Sequence, residues 1–180
     1  MSSKVRMYTR YPLSSIVIYS GATITHYLLG GIGIILGYSS WVGCLVGSLY
    51  IAFSFTEMYL HMPSKVCPNC VYYKLDNSLC ISGLNIVSRK LAREGNIEDF
   101  ASRGKGLFCP NNLYLASLVV PIIAVIPSLI LNFSFLVLTI LLIVVGLLIF
   151  RFFVIFPKIA CVHCRSKNVC PQAQSMRLPQ

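Results

Sequence analysis

Two Cys-x-x-Cys pairs lie far apart in this chain of 180 residues. Cys67-Pro68-Asn69-Cys70 is followed by Cys80, and Cys161-Val162-His163-Cys164 by Cys170. Cys109 stands between them and, like Cys170, precedes a proline. Two thiolates separated by two residues can grip one ion from a tight turn. Structural zinc sites take two such pairs, or one pair with other Cys or His ligands. The chemistry these residues point to is therefore thiolate metal binding at Cys67, Cys70, Cys80, Cys109, Cys161, Cys164 and Cys170.

The spacing leaves several ligand sets open. Cys67 and Cys70 with Cys161 and Cys164 make an all-thiolate site for one zinc ion. Alternatively each half supplies three thiolates, with His61, His163 or Cys109 as a fourth ligand. A cubane iron–sulfur cluster also needs four thiolates, although the ferredoxin run C-x2-C-x2-C-x3-C-P is absent. Dithiol redox chemistry lacks the βαβ pattern that usually surrounds it. Haem attachment is excluded, because Val71 and Arg165 occupy the positions that would need His. Unliganded thiols are the remaining reading. The Cys67–Cys70 turn resembles a zinc knuckle, a likeness that covers only those few residues. The eighth cysteine, Cys44, reads as a small packing residue.

The segments that must carry these thiols are apolar. Hydrophobic residues make up 56% of the chain, charged ones 11%, and the mean hydropathy is +0.75. Soluble domains run nearer a quarter charged, so a soluble globular chain and a disordered one are both disfavoured. Two apolar blocks, about 13–60 and 113–156, are each twice the ~20 residues that cross a hydrocarbon core. Each is interrupted by uncharged turn formers, Gly37-Tyr38-Ser39-Ser40 and Asn132-Phe133-Ser134. The expectation is an all-α integral membrane protein with four transmembrane helices (about 13–36, 40–60, 113–131 and 135–156) as two hairpins. Helices are required because backbone groups in lipid must pair within the segment. Two helices with large reentrant sections are the alternative. The chain divides into a basic segment and first hairpin (1–60), a Cys-rich loop (61–112), a second hairpin (113–157) and a Cys-rich tail (158–180).

Fifteen Lys and Arg against five Asp and Glu give a formal charge of +10. In a soluble chain that would suggest nucleic acid. Here Lys4, Arg6 and Arg10 precede the first span. Seven basic residues, from Lys65 to Lys105, lie between spans two and three. Lys158, Arg165, Lys167 and Arg177 follow span four. The two opposite turns have no Lys or Arg, so the positive-inside rule assigns the termini and the loop to the cytoplasm, in a cell membrane. No nucleic-acid partner is expected. That compartment keeps thiols reduced, which disfavours structural disulfides and favours a metal. No small-residue cleavage site follows the basic N-terminus, so span one reads as retained. Tyr38 and Trp41 suit the outer interface, and Tyr8, Tyr11, Tyr72, Tyr73 and Tyr114 the inner one.

Both halves run from apolar helices through a Pro/Lys segment into Cys-x-x-Cys, which suggests a parallel internal repeat. Residues 82–94 have helical spacing at Leu84, Val87 and Leu91, with Ser82 as a cap and Gly95 as a stop. Its Arg89, Lys90 and Arg93 would face anionic inner-leaflet lipids, or the helix would pack on the cysteine module. A second short helix would begin near Asn96. Arg103-Gly104-Lys105-Gly106 lacks the spacing of a phosphate loop. In the spans, His26 is expected to be neutral and bonded to a hydroxyl, and Glu57 to approach Arg151 unless Arg151 snorkels outward. Pro121 and Pro127 can kink span three, and Gly30, Gly31 and Gly33 invite close helix packing.

The sequence-level expectation is a membrane-anchored, zinc-knuckle-like metal-binding protein whose module is structural or recruits a protein partner or a second copy. An iron–sulfur or dithiol protein passing electrons between cytoplasm and membrane is the alternative, and a small transporter a third. No Ser/His/Asp set, paired catalytic carboxylates or nucleotide fingerprint is present.

Overall fold

A computed structural model describes residues 6–102 and 109–176. Lys4, Arg177 and the Arg103–Gly106 segment lie outside the described residues. The described chain is all-helical, and four of its helices are long and apolar enough to cross a membrane. Helix α1 (Leu13–Tyr38) starts after Pro12 and ends where Ser39 turns left-handed, with φ 41°. Ser40 then starts α2 (Trp41–Thr56), its hydroxyl accepting from the Gly43 amide at 3.3 Å. The expected break at 37–40 is thus a tight serine turn.

Helix α2 does not stop at Thr56. It widens into a π-helix over Glu57–Val66 and tightens into a 3₁₀ turn over Cys67–Asn69. The short helices α3 (Val71–Lys74), α4 (Leu84–Leu91) and α5 (Asp99–Ser102) follow. Helix α6 (Pro110–Leu131) leads through the 132–134 break into α7 (Phe135–Phe150). Helix α7 in turn widens into a π-helix over Arg151–Ala160 and closes in a 3₁₀ turn over Cys161–His163. The short α8 (Pro171–Ser175) completes the described chain. Each π segment contains a proline, Pro63 or Pro157. A proline ring clashes with the carbonyl four residues earlier in an α-helix, and a wider turn relieves that clash.

Helix α1 is central, packing on α2, α6 and α7. Its contact with α2 is close because Gly31 and Gly47 face each other. A Cβ on Gly47 would lie 2.8 Å from the Gly31 carbonyl oxygen, and one on Gly31 would collide with Ile51. The prolines of α6 free carbonyls in an apolar interior, where unpaired backbone is costly. Neighbouring side chains satisfy them. Tyr50 donates to the Ser117 carbonyl, four residues before Pro121, at 2.8 Å. His26 Nε2 donates to Leu118 at 2.9 Å, and Tyr38 donates to Ala124, three residues before Pro127, at 2.9 Å. His26 therefore bonds a carbonyl rather than the expected hydroxyl. Large apolar side chains such as Trp41, Ile130 and Phe135 point outward, a surface suited to lipid.

Candidate functional site

The two Cys-x-x-Cys pairs are shaped alike. The Cys70 amide donates to the Cys67 carbonyl at 3.1 Å, and the Cys164 amide to the Cys161 carbonyl at 3.2 Å. Each turn leaves its second cysteine extended, with ψ 146° at Cys70 and 131° at Cys164. Corresponding residues stand 94 positions apart: Ser40 and Ser134, Pro63 and Pro157, Cys67 and Cys161, Cys70 and Cys164. The local plan of the repeat holds through the π segments and 3₁₀ turns.

Six cysteines line one cavity of about 190 Å³: Cys67, Cys70 and Cys80 from the middle of the chain, Cys161, Cys164 and Cys170 from its end. Cys70 Sγ lies 3.4 Å from Ser166 Oγ, a direct contact across the two sets. All eight cysteines carry thiols rather than disulfides. Among the described residues, no three His, Cys, Asp or Glu side chains are close enough together to hold one metal ion. Burial pushes the Cys164 thiol up to about 12, and its neighbours Cys70, Cys170 and Cys80 add to the rise. Several thiols in one dry pocket disfavour thiolates, because like charges would crowd there. A bound cation would reverse that preference.

Four expected contributors are elsewhere. Cys109 caps the start of α6, buried but outside the cavity lining. His61 Nδ1 is 2.7 Å from Glu57 Oε2. His163 Nδ1 donates to the Arg6 carbonyl at 2.8 Å, and its ring packs on Tyr8 with centroids 4.6 Å apart. Neither histidine is in the lining, and Cys44 is exposed on α2. The helix expected at 82–94 is shorter, running from Leu84 to Leu91. Gly83 starts it at φ 70° in place of Ser82, and Ala92 ends it before Gly95. Leu84 packs under the cavity beside Tyr114 and Phe156. Arg89 is not a bare basic side chain. Its guanidinium donates to the carbonyls of Tyr72, Tyr73 and Leu75, capping the end of α3. Lys90 and Arg93 remain exposed.

The tyrosines expected at the inner interface are wedged inward instead. Tyr11, Tyr72 and Tyr114 are all buried. Tyr11 donates to the Ala160 carbonyl and Tyr72 to the Tyr8 carbonyl, so the N-terminal segment closes one wall of the site. A backbone bridge between Arg10 and Leu79 fastens it further. Burial and nearby cysteines push both phenols well above their ordinary range.

Beneath the cavity lies a group the sequence did not assign to it. Tyr19, Tyr114 and Phe156 line the cavity floor and also surround Arg151, whose guanidinium carbon is 5.3, 5.8 and 6.0 Å from their ring centroids. Arg151 is 1% exposed. It donates to Tyr114 Oη and, at 2.5 Å, to Thr23 Oγ1. It therefore neither snorkels nor meets Glu57, which pairs with His61 four residues on. The available signal was the stripe Tyr19, Thr23, Tyr27 at four-residue spacing in an apolar span, one face of a helix.

Comparison with protein-family models, with curated proteins and with solved structures finds no match for this chain.

Proposed function

We propose that this is a membrane-anchored metal–thiolate protein, with the spans as two hairpins and the cysteine module on the cytoplasmic face. Cys67, Cys70 and Cys80 from one half, with Cys161, Cys164 and Cys170 from the other, hold a metal centre that ties the halves together. The observation that carries this reading is the convergence of six thiols, three from each half, on one cavity. Soft thiolates without carboxylate or imidazole select zinc or iron–sulfur over hard cations. The basic residues flanking one end of the spans support the cytoplasmic assignment, where thiols stay reduced. Exposed Lys90 and Arg93 are then available to anionic lipids of the inner leaflet.

One tetrahedral zinc uses four sulfurs about 2.3 Å from the ion, hence roughly 3.8 Å from each other. Six thiols around a cavity of about 190 Å³ suit a larger centre. Two zinc ions sharing the six thiolates use both halves equally, and the role is then structural, with the loop held for a partner. The cavity volume favours a second reading: an iron–sulfur cluster, whose inorganic sulfides fill space, would serve electron transfer between cytoplasm and membrane. Elemental analysis with an absorption spectrum, on full-length protein purified without oxygen, separates the two. Two zinc ions per chain and no colour support the first. A brown protein with iron and acid-labile sulfide supports the second. Absence of both metals overturns the metal reading and leaves dithiol chemistry.

A further inference from the structure

A guanidinium in an apolar bundle is costly unless an opposite charge compensates it. Thr23 and Tyr114 supply hydrogen bonds to Arg151 but no charge. The ion pairs among the described residues are Glu57 with His61 and Lys74 with Glu94, and neither involves Arg151. The equivalent position in the other half, Glu57, sits beside His61, so its charge is answered within its own helix. Arg151 has no such answer. It lies one side-chain layer from the thiol cavity, behind the rings of Tyr19 and Tyr114. The Tyr19 and Tyr114 hydroxyls are 3.4 Å apart, and Tyr114 accepts from Arg151. A phenol that accepts from a guanidinium has its own proton polarised toward other acceptors.

We infer that Arg151 is the counter-charge of an anionic metal–thiolate centre in the cavity, acting through the hydroxyls of Tyr19 and Tyr114. The inference rests on the metal–thiolate reading and adds the sign of the centre's net charge. Six thiolates around two zinc ions carry a net negative charge, and so does a cubane cluster on four thiolates. Either would be stabilised by a fixed cation whose field crosses a low-dielectric wall rather than water. Arg151 is a positioning residue in this scheme, since it is buried behind the tyrosines and touches no ligand.

The test uses full-length protein in detergent, purified without oxygen, with EDTA as competitor and metal content as the readout. R151Q keeps much of the shape and removes the charge. It should lose half its metal at about tenfold lower EDTA, with helix content by circular dichroism unchanged. R151K restores the charge and should stay within about threefold of the parent protein. The double variant Y19F/Y114F keeps Arg151 but removes the relay, and should fall between the two. Parent protein with metal and an R151Q curve superimposed on it overturns the role of Arg151 alone. R151K as weak as R151Q also overturns it, because charge would then not be the operative property. If R151Q does not fold, Y19F/Y114F decides, and an unchanged EDTA curve overturns the relay. Parent protein without metal overturns the underlying metal reading as well.

Discussion

The stretch from Ser40 to Cys70 and the stretch from Ser134 to Cys164 build the same object from different residues. Each is a 16-residue α-helix, a ten-residue π segment with an internal proline, a 3₁₀ turn and an extended cysteine. Their chemistry diverges at the first residue of the π segment. Glu57 stands there in one half and Arg151 in the other. The next turn holds His61 in the first and Ile155 in the second. Glu57 is thus neutralised locally, while Arg151 depends on side chains of α1 and α6. The comparison teaches that the proline and cysteine positions set the backbone, while the charged positions decide which half supplies thiols alone and which also supplies a field.

The sharpest way to break this equivalence is to remove one thiol from each half. Cys67→Ser and Cys161→Ser should each abolish metal retention, measured as metal per chain after purification. Full retention in Cys67→Ser would strike it from the ligand set and make the halves unequal. A second comparison contrasts folded and unfolded chain. In metal-free protein the Cys164 thiol ionises near 12 rather than near 9. At pH 8 its alkylation by iodoacetamide should therefore be about a thousandfold slower than in the denatured chain. The raised value means the buried thiol favours folding below about pH 9, and that contribution is lost as pH rises toward 12. Equal labelling rates in the two states would remove the dry-pocket account.

Packing offers a smaller contrast. Gly31→Leu drives a side chain into Ile51 and should cost about 1–3 kcal/mol. Gly146→Leu on α7 meets nothing within 4 Å and should be close to neutral. Thermal melting in detergent checks both, and similar losses would mean that α1 and α2 do not approach as closely as described. The smallest effect concerns the loop. Arg89→Ala should cost about 1 kcal/mol by freeing the carbonyls of α3, whereas Arg93→Ala should be silent. Arg89→Lys should not recover the loss, since an ammonium cannot span three carbonyls as a planar fork does.

Much of the frame was legible before any coordinates. Span number, the serine break after Tyr38 and the break around Ser134 follow from hydropathy and turn chemistry, which are local properties. The Cys-x-x-Cys turns are local as well, closed by a hydrogen bond between residues three apart. The π segments were not legible, although Pro63 and Pro157 are their evident cause. A proline near a membrane exit can equally end a helix, and only continuation of the chain into a packed turn distinguishes the two.

Local pattern therefore determined four apolar helices and two thiol turns. Tertiary packing alone decided which thiols meet and what lies beneath them. Seven cysteines had equal claim by spacing, but Cys109 is held away because it starts α6, while Cys80 and Cys170 fold back over the turns. Arg151 could have reached the surface or Glu57 by length. It is fixed inside because Tyr19, Thr23 and Tyr114, on two other helices, offer aromatic faces and oxygens at its depth. Contacts between residues about a hundred positions apart depend on helix rotation and register. Glycine and proline contacts across α1, α2 and α6 set that register, and no single span encodes it.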